Sequence, residues 1–140
     1  MNKLTFIILF SIITFSCNSK KEVSETPTQN INRVWMLTEF KNFEKQFLVA
    51  SKAQLNLTNS KTATANMGCN GISSKYIIKS NSEITFSDGM RTEMACGEMK
   101  LEDNFLEILP KINSFKIEVH KLTLTSKDGQ KMIFAAQDWD

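Results

Sequence analysis

Three cysteines and one histidine are the residues best suited to chemistry in this 140-residue chain. Cys17 lies near the start, Cys69 and Cys96 lie in the interior, and His120 is the single histidine. A nucleophilic thiol site would need His120 within hydrogen-bond reach of Cys69 or Cys96. Because His120 stands between two segments of alternating polarity, we interpret it as an exposed turn residue. We therefore predict no catalytic residue.

Acidic and hydroxyl side chains offer no stronger site. Glu102 and Asp103 are adjacent in a segment of helical spacing, so their carboxylates point in different directions, and we predict that both face water. Ser73 and Ser74 are interpreted as turn residues without a nearby base. The chain has no phosphate-binding loop, no zinc-ligand spacing and no dinucleotide fingerprint. These observations predict a protein that is not an enzyme and that carries no metal or cofactor.

The first residues carry the pattern of an export signal. Lys3 is the only charged residue before position 20, and an apolar run from Leu4 to Phe15 follows it. This run is shorter than the roughly 20 apolar residues that a membrane-spanning helix needs. It is typical of the hydrophobic region of a signal peptide. We predict a signal peptide over residues 1–16.

Ser16–Cys17 closes the apolar run and resembles the lipobox of bacterial lipoproteins, although Thr14 and Phe15 depart from its usual residues. In such proteins the cysteine thiol receives diacylglycerol, the signal is removed, and the new amine receives an acyl chain such as palmitate. Cys17 is therefore the predicted lipidation site and the predicted membrane contact. An ordinary signal peptide with a later cut and a buried N-terminal helix are the alternatives.

With Cys17 used for lipid, Cys69 and Cys96 form an even pair in an oxidising compartment. Such a pair favours a disulfide bond. Closing a loop of roughly 28 residues would stabilise the fold by about 3–4 kcal/mol in the chain-entropy model. Two buried free thiols are the main alternative. Metal ligation is a weaker one, because two cysteines and one histidine make a thin ligand set.

The length and charge of the chain limit the number of its domains and the partners that it could bind. Without the signal it has the size of a single domain, and we expect a monomer. The formal net charge of the full chain is only +2, which gives no electrostatic footprint for nucleic acid. Residues 17–32 are polar, lack apolar periodicity and contain Pro27. We interpret them as a flexible tether and residues 33–140 as the folded domain.

Most of the domain alternates between apolar and polar residues, which indicates strands with one face on a core. From Glu98 to Leu109 the spacing becomes helical, and Pro110 is expected to end that helix. The fold class predicted is mainly β, an antiparallel curved sheet or open barrel of about eight strands with one helix packed on it. Strands are expected near Val34–Phe40, Phe47–Val49, Ala53–Thr58, Thr62–Met67, Lys75–Lys79, Glu83–Phe86, Phe115–Val119, Lys121–Thr125 and Lys131–Ala135.

The landmarks of the domain, taken in order, resemble a known family. Trp35-x-Leu37 opens the domain, Met67-Gly68-Cys69-Asn70 follows an early strand, and Thr92-x-Met94-Ala95-Cys96 precedes the helix. Leu122-x-Leu124 and Asp128-Gly129-x-x-Met132-x-Phe134 close it. This order and spacing resemble the META domain, also called the HslJ-like domain, from about Arg33 to Ala135.

The resemblance implies a small, mainly β domain found in bacterial envelope lipoproteins and in heat-shock-associated proteins linked to novobiocin tolerance. It implies no agreed reaction and no catalytic residues. The motif positions Trp35, Gly68, Asn70, Thr92, Met94 and Ala95 are therefore expected to be structural. Gly68 suits a backbone turn, Asn70 can bond the local backbone of that turn, and Thr92 can support the approach to the helix.

Together these features predict a non-catalytic envelope lipoprotein that acts as a binding or stress-tolerance module. The outer membrane is the favoured location, with the leaflet left open. Its partner would be an envelope protein or an apolar ligand. A carrier or chaperone that holds an apolar ligand between helix and sheet is the second hypothesis, and a thiol-dependent enzyme is the third. An apolar pocket under Leu101, Phe105 and Ile108 would favour the carrier.

Overall fold

The computed structural model describes residues 30–138. The predicted signal peptide, the predicted lipidation site Cys17 and nearly all of the predicted tether lie outside the described residues. Within the described range, no helix has both the length and the apolar character needed to cross a membrane.

The domain contains nine strands and two helices in its described part. Their bounds are β1 Val34–Phe40, α1 Lys45–Ala50, β2 Gln54–Asn56, β3 Thr62–Asn66, β4 Gly71–Ile78, β5 Ile84–Phe86, β6 Met90–Arg91, α2 Lys100–Ile108, β7 Ile112–Glu118, β8 Lys121–Ser126 and β9 Lys131–Ala136.

Eight of these strands form a nearly closed antiparallel barrel in the order β5-β4-β3-β2-β1-β9-β8-β7, and the short β6 pairs with β4. Most neighbouring strands are joined by hairpins, whereas the pairing of β1 with β9 brings the first and last strands of the domain together. The seam between β5 and β7 is held by a single bridge from Glu83 to Ser114 and by the Phe115 amide, which donates to the Ser82 carbonyl at 2.8 Å. The predicted open barrel with one main helix packed on it is confirmed.

The apolar residues that alternate along the strands face inward and form the core of the barrel. Trp35 and Leu37 face inward from β1, and a bulge before Glu39 shifts the register so that Phe40 also faces inward. Leu101 and Phe105 bring the apolar face of α2 onto the same core. Burial of this apolar face, rather than an intrinsic preference for helix, fixes α2 in place.

The predicted strand at Phe47–Val49 is wrong, because these residues belong to the helix α1. Its single turn is closed by the Leu48 amide bonding to Glu44 and by the Ser51 amide bonding to Phe47. Leu48 is the residue that α1 buries. A run of three apolar residues cannot by itself distinguish a buried strand from a short helix.

β4 begins at Gly71 rather than near Lys75, and the segment predicted as irregular contains β6. The α-helix ends at Ile108, before Pro110 as expected, and a 3₁₀ turn follows over Leu109–Lys111. Proline is tolerated there because its missing amide falls in the first turn of the 3₁₀ segment.

Candidate functional site

A tight turn between β3 and β4 begins the region where the sequence motifs meet. Gly68 has a φ of +111°, and a Cβ added there would lie 3.4 Å from Cβ of Ser51. The side chain of Asn66 accepts a hydrogen bond from the Gly68 amide at 2.8 Å. Gly68 is thus required by its backbone angle and has a close neighbour as well.

Asn70 follows this turn and is fully buried. Its Oδ1 accepts hydrogen bonds from the Thr92 hydroxyl and the Met94 amide, both at 2.8 Å. Its Nδ2 donates to Oε1 of Glu102 at 2.9 Å. Asn70 was expected to bond the local backbone of its own turn, and its side chain instead bonds residues far along the chain. It joins the β3–β4 turn to the segment before α2 and to α2 itself.

Glu102 lies in the first turn of α2 and is 1% exposed, so the prediction that it faces water is also wrong. Its Oε2 accepts from the Asn70 backbone amide at 2.8 Å, and its Oε1 lies 3.1 Å from Nη1 of Arg91. Arg91 also binds Asp103 at 2.6 Å, and this hydrogen bond is the main reason that the pKa of the guanidinium is raised. A buried carboxylate is tolerated here because donors surround it.

Two further links tie the same segments together. Cys69 and Cys96 form a disulfide bond with their Cα atoms 6.2 Å apart. The Thr92 amide donates to the Gly71 carbonyl at 3.0 Å, and the Gly71 amide donates to the Thr92 hydroxyl at 3.2 Å. Thr92 thus supports the β4 side of the turn and does not cap α2, whose start has no side-chain cap.

We call Asn70, Thr92, Met94 and Glu102, together with the Cys69–Cys96 bond, the motif cluster. Its amide, hydroxyl and carboxylate groups are all bonded to one another or to neighbouring backbone. The sulfurs of Cys69 and Cys96 are bonded to each other. Within residues 30–138, no three His, Cys, Asp or Glu side chains come together as a metal site would require. The arrangement is suited to holding three segments in fixed positions.

The other predicted residues lie elsewhere or contribute less. Trp35 is buried in the barrel core, where its indole N–H donates to the Ile31 carbonyl at 2.9 Å. Ala95 is exposed beside the disulfide. His120 occupies the β7–β8 turn as expected, but it is half-buried rather than exposed, and the Ala136 amide donates to its carbonyl.

Glu102 and Arg91 are the residues that sequence reasoning missed. Glu102 precedes Phe105 by three residues and Leu109 by seven, so the helical period places it on the apolar face of α2. A carboxylate at such a position signals a buried partner. Arg91 gave no comparable signal, because its role depends on the pairing of β6 with β4.

Comparisons with known proteins agree with this fold. The model of the META domain matches residues 28–139. A protein of Burkholderia xenovorans solved by NMR superposes with a TM-score of 0.63 at 19% identity, over 77% of this chain and 83% of that one. A DUF4847 family protein of Bacteroides vulgatus superposes with a TM-score of 0.55 at 12% identity, over 78% of this chain and 95% of that one. No curated protein matches.

Proposed function

This chain belongs to the META domain family, and from that premise we propose that it is a non-catalytic binding module of the bacterial cell envelope, HslJ-like in type and anchored by lipid at Cys17. The proposal includes a part in stress tolerance, which the family resemblance implies. The proposed location in the envelope is supported by the lipobox-like Ser16–Cys17 and by the disulfide, a bond typical of oxidising compartments.

The observation that carries this proposal is the closed hydrogen bonding of the motif cluster. Asn70 and Glu102 use their polar atoms on each other and on the chain around them. A catalytic group needs a polar atom directed at a substrate. The family motif is therefore best explained as a set of structural contacts that keeps the barrel and its surface loops in a fixed shape for binding.

Two other hypotheses have less support. Leu101, Phe105 and Ile108 are buried in the continuous core, which counts against a carrier holding an apolar ligand beneath α2. The Cys69–Cys96 bond counts against a thiol-dependent enzyme. Alkylation of the native protein should leave both cysteines unlabelled, and labelling of either would reopen the thiol hypothesis.

Fractionation of cells tests the anchor. Each acyl methylene buried in the bilayer contributes roughly 0.8 kcal/mol to membrane binding. Two or more acyl chains therefore hold a protein firmly, and its release requires detergent. The wild-type protein should need detergent, whereas a Cys17→Ser chain from which residues 1–16 have been removed should be extracted by high salt. If that processed variant still needs detergent, the anchor is assigned to the wrong residue.

A pull-down tests the binding role. The anchored protein is compared with an unrelated domain joined to residues 1–29, so that both baits share the same anchor and membrane. Co-purified proteins and lipids are identified by mass spectrometry. Enrichment specific to the META domain is expected, and a matched set from both baits would contradict a binding module.

Lower novobiocin tolerance in a deletion strain, restored by the wild-type gene, would support the stress-tolerance part.

A further inference from the structure

The Cys69–Cys96 bond lies at the surface of the motif cluster. Both cysteines are half-buried, whereas Asn70, the neighbour of Cys69, is fully buried. Cys96 lies between Ala95 and Gly97, which are both exposed, and a Cβ added at Gly97 would meet no atom within 4 Å. An external thiolate can therefore approach the bond, and accessible disulfides are the ones that exchange with thiols.

The two sulfurs of this bond have different surroundings. Nδ2 of Asn70, which donates to Glu102, also lies 3.5 Å from Sγ of Cys69 and 3.4 Å from the Met94 carbonyl, so its second N–H faces both. Within residues 30–138, no hydrogen bond reaches Sγ of Cys96. A donor facing a sulfur stabilises the thiolate that forms when the bond breaks, so Cys69 is the better leaving group.

The direction of approach favours attack at the other sulfur, that of Cys96. A thiolate attacks a disulfide along the sulfur–sulfur axis, from the side of the sulfur that it will bond. On the side of Cys96 lies the exposed segment before α2, whereas on the side of Cys69 lies the β3–β4 turn with the buried Asn70. Access and leaving group therefore select the same sulfur, Sγ of Cys96.

The disulfide holds residues 95–99 against the barrel. The preceding residues Thr92 and Met94 are fixed by their hydrogen bonds to Asn70. In the part of the chain that the structure describes, no hydrogen bond or ion pair joins residues 95–99 to the barrel, and Glu98 bonds only the nearby Lys100 amide. Breaking the bond between the sulfurs therefore releases residues 95–99.

The hydrogen bonds of the motif cluster do not require the disulfide. Asn70 bonds Thr92, Met94 and Glu102 through its own amide group. After reduction, a thiol at Cys69 has an acceptor within reach, because its Sγ lies 3.7 Å from the Met94 carbonyl. Reduction is therefore expected to open one segment locally and to leave the barrel folded.

We propose that the Cys69–Cys96 bond is a thiol–disulfide exchange site for a dithiol protein and that exchange begins at Cys96. The partner's first thiolate bonds Sγ of Cys96, and the electron pair of the broken bond passes to Sγ of Cys69, which takes up a proton. The partner's second thiolate then bonds the partner's first sulfur, and Cys96 leaves as a thiolate that is protonated in turn. The domain is reduced by two electrons, the partner becomes a disulfide, and residues 95–99 are released.

The kinetics of reduction distinguish exchange in the folded domain from exchange through unfolding. The full processed protein in detergent is treated with dithiothreitol, and its thiols are alkylated and counted by mass spectrometry. We expect a rate that rises in proportion to dithiothreitol and changes less than about twofold in urea below the unfolding transition. A rate that reaches a plateau, or that rises steeply with such urea, would show that the bond opens only on unfolding and would overturn the proposal.

A Cys-x-x-Cys protein whose second cysteine is replaced by serine traps the first step as a mixed disulfide. Peptide mapping should find at least about tenfold more of this mixed disulfide on Cys96 than on Cys69. Equal trapping on the two cysteines, or a preference for Cys69, would contradict attack at Cys96.

NMR relaxation measures what reduction releases. The chain used is Cys17→Ser without residues 1–16, so the result does not depend on the proposed anchor at Cys17. On reduction, the backbone order parameters of Gly97 and Glu98 should fall from about 0.85 to below about 0.6, and those of β1 should not change. Unchanged values at Gly97 and Glu98, or a fall throughout β1, would overturn the release of this segment from a folded barrel.

Discussion

Asn70 shows how one side chain can account for most of a family motif. It accepts from Thr92 and Met94, donates to Glu102, and is itself fully buried. The sequence identified Asn70 and Thr92 as motif positions, but it could not identify their partner. Glu102 is distant along the chain, and only the docking of α2 brings its carboxylate to the turn.

Replacing Asn70 by Ala should destabilise the domain by about 2–4 kcal/mol, because it leaves the Glu102 carboxylate with fewer donors in a buried position. Urea unfolding of the variant measures this loss. Asn81→Ala is the control, since Asn81 lies in an exposed turn. A loss of unfolding free energy below about 1 kcal/mol for Asn70→Ala would show that the motif cluster does not stabilise the fold.

The disulfide should stabilise the domain by an amount similar to that expected for Asn70. Its cysteines are 27 positions apart, so in the chain-entropy model its removal costs about 3–4 kcal/mol. The double variant Cys69→Ser/Cys96→Ser should show this loss in urea, and reductant should lower the stability of the wild type alone. If reductant leaves the wild-type unfolding midpoint unchanged, the bond contributes nothing.

Asp128 should make stability depend on pH on the acid side. Hydrogen bonds from Ser126 and then Gln130 lower the pKa of its carboxyl below the ordinary value of 3.8. The ionised form is therefore favoured by folding, so its contribution is present above pH 3.8 and is lost as pH falls through the lower folded pKa. The urea midpoint of Asp128→Asn should fall less steeply with acid than that of the wild type. Parallel curves would contradict this assignment.

At the scale of elements, alternation predicted β1, β8 and β9 well because each has one face on the core, whereas β4 and β7 begin three or four residues earlier than it indicated. β1 begins and ends where the alternation of Val34–Phe40 indicates. α1 was missed because its short apolar run contains no full helical period, and the ring of Phe43 holding Phe47 is visible only in the folded chain. β6 was missed because it has two residues, and only its pairing with β4 defines it.

The β3–β4 turn offers a matched test of this local geometry. Gly68→Ala should cost about 1–2 kcal/mol, because the positive φ disfavours any side chain and Ser51 lies close by. Gly97→Ala, in the segment before α2, should change stability by less than about 1 kcal/mol, since a Cβ there meets no atom within 4 Å. Equal losses for the two variants would mean that the backbone angle of Gly68 is unimportant.

At the scale of the whole molecule, the barrel, the motif cluster and the proposed anchor form one arrangement. The barrel is nearly closed by pairing β1 with β9 and by the bridge between β5 and β7. The motif cluster fixes the segment before α2, and residues 17–29 would connect this stable domain to the membrane. The alternating pattern predicted the barrel class, whereas the closure of its seam depends on long-range contacts that no local pattern encodes.

Mass spectrometry of the intact protein, extracted from membranes in detergent, tests the central claim most directly. We expect a chain that begins at Cys17 and carries the mass of a diacylglyceryl group and an acyl chain. We also expect it to lack the two thiol hydrogens of Cys69 and Cys96. A mature chain that begins elsewhere, or one whose Cys17 carries no lipid, would contradict the account.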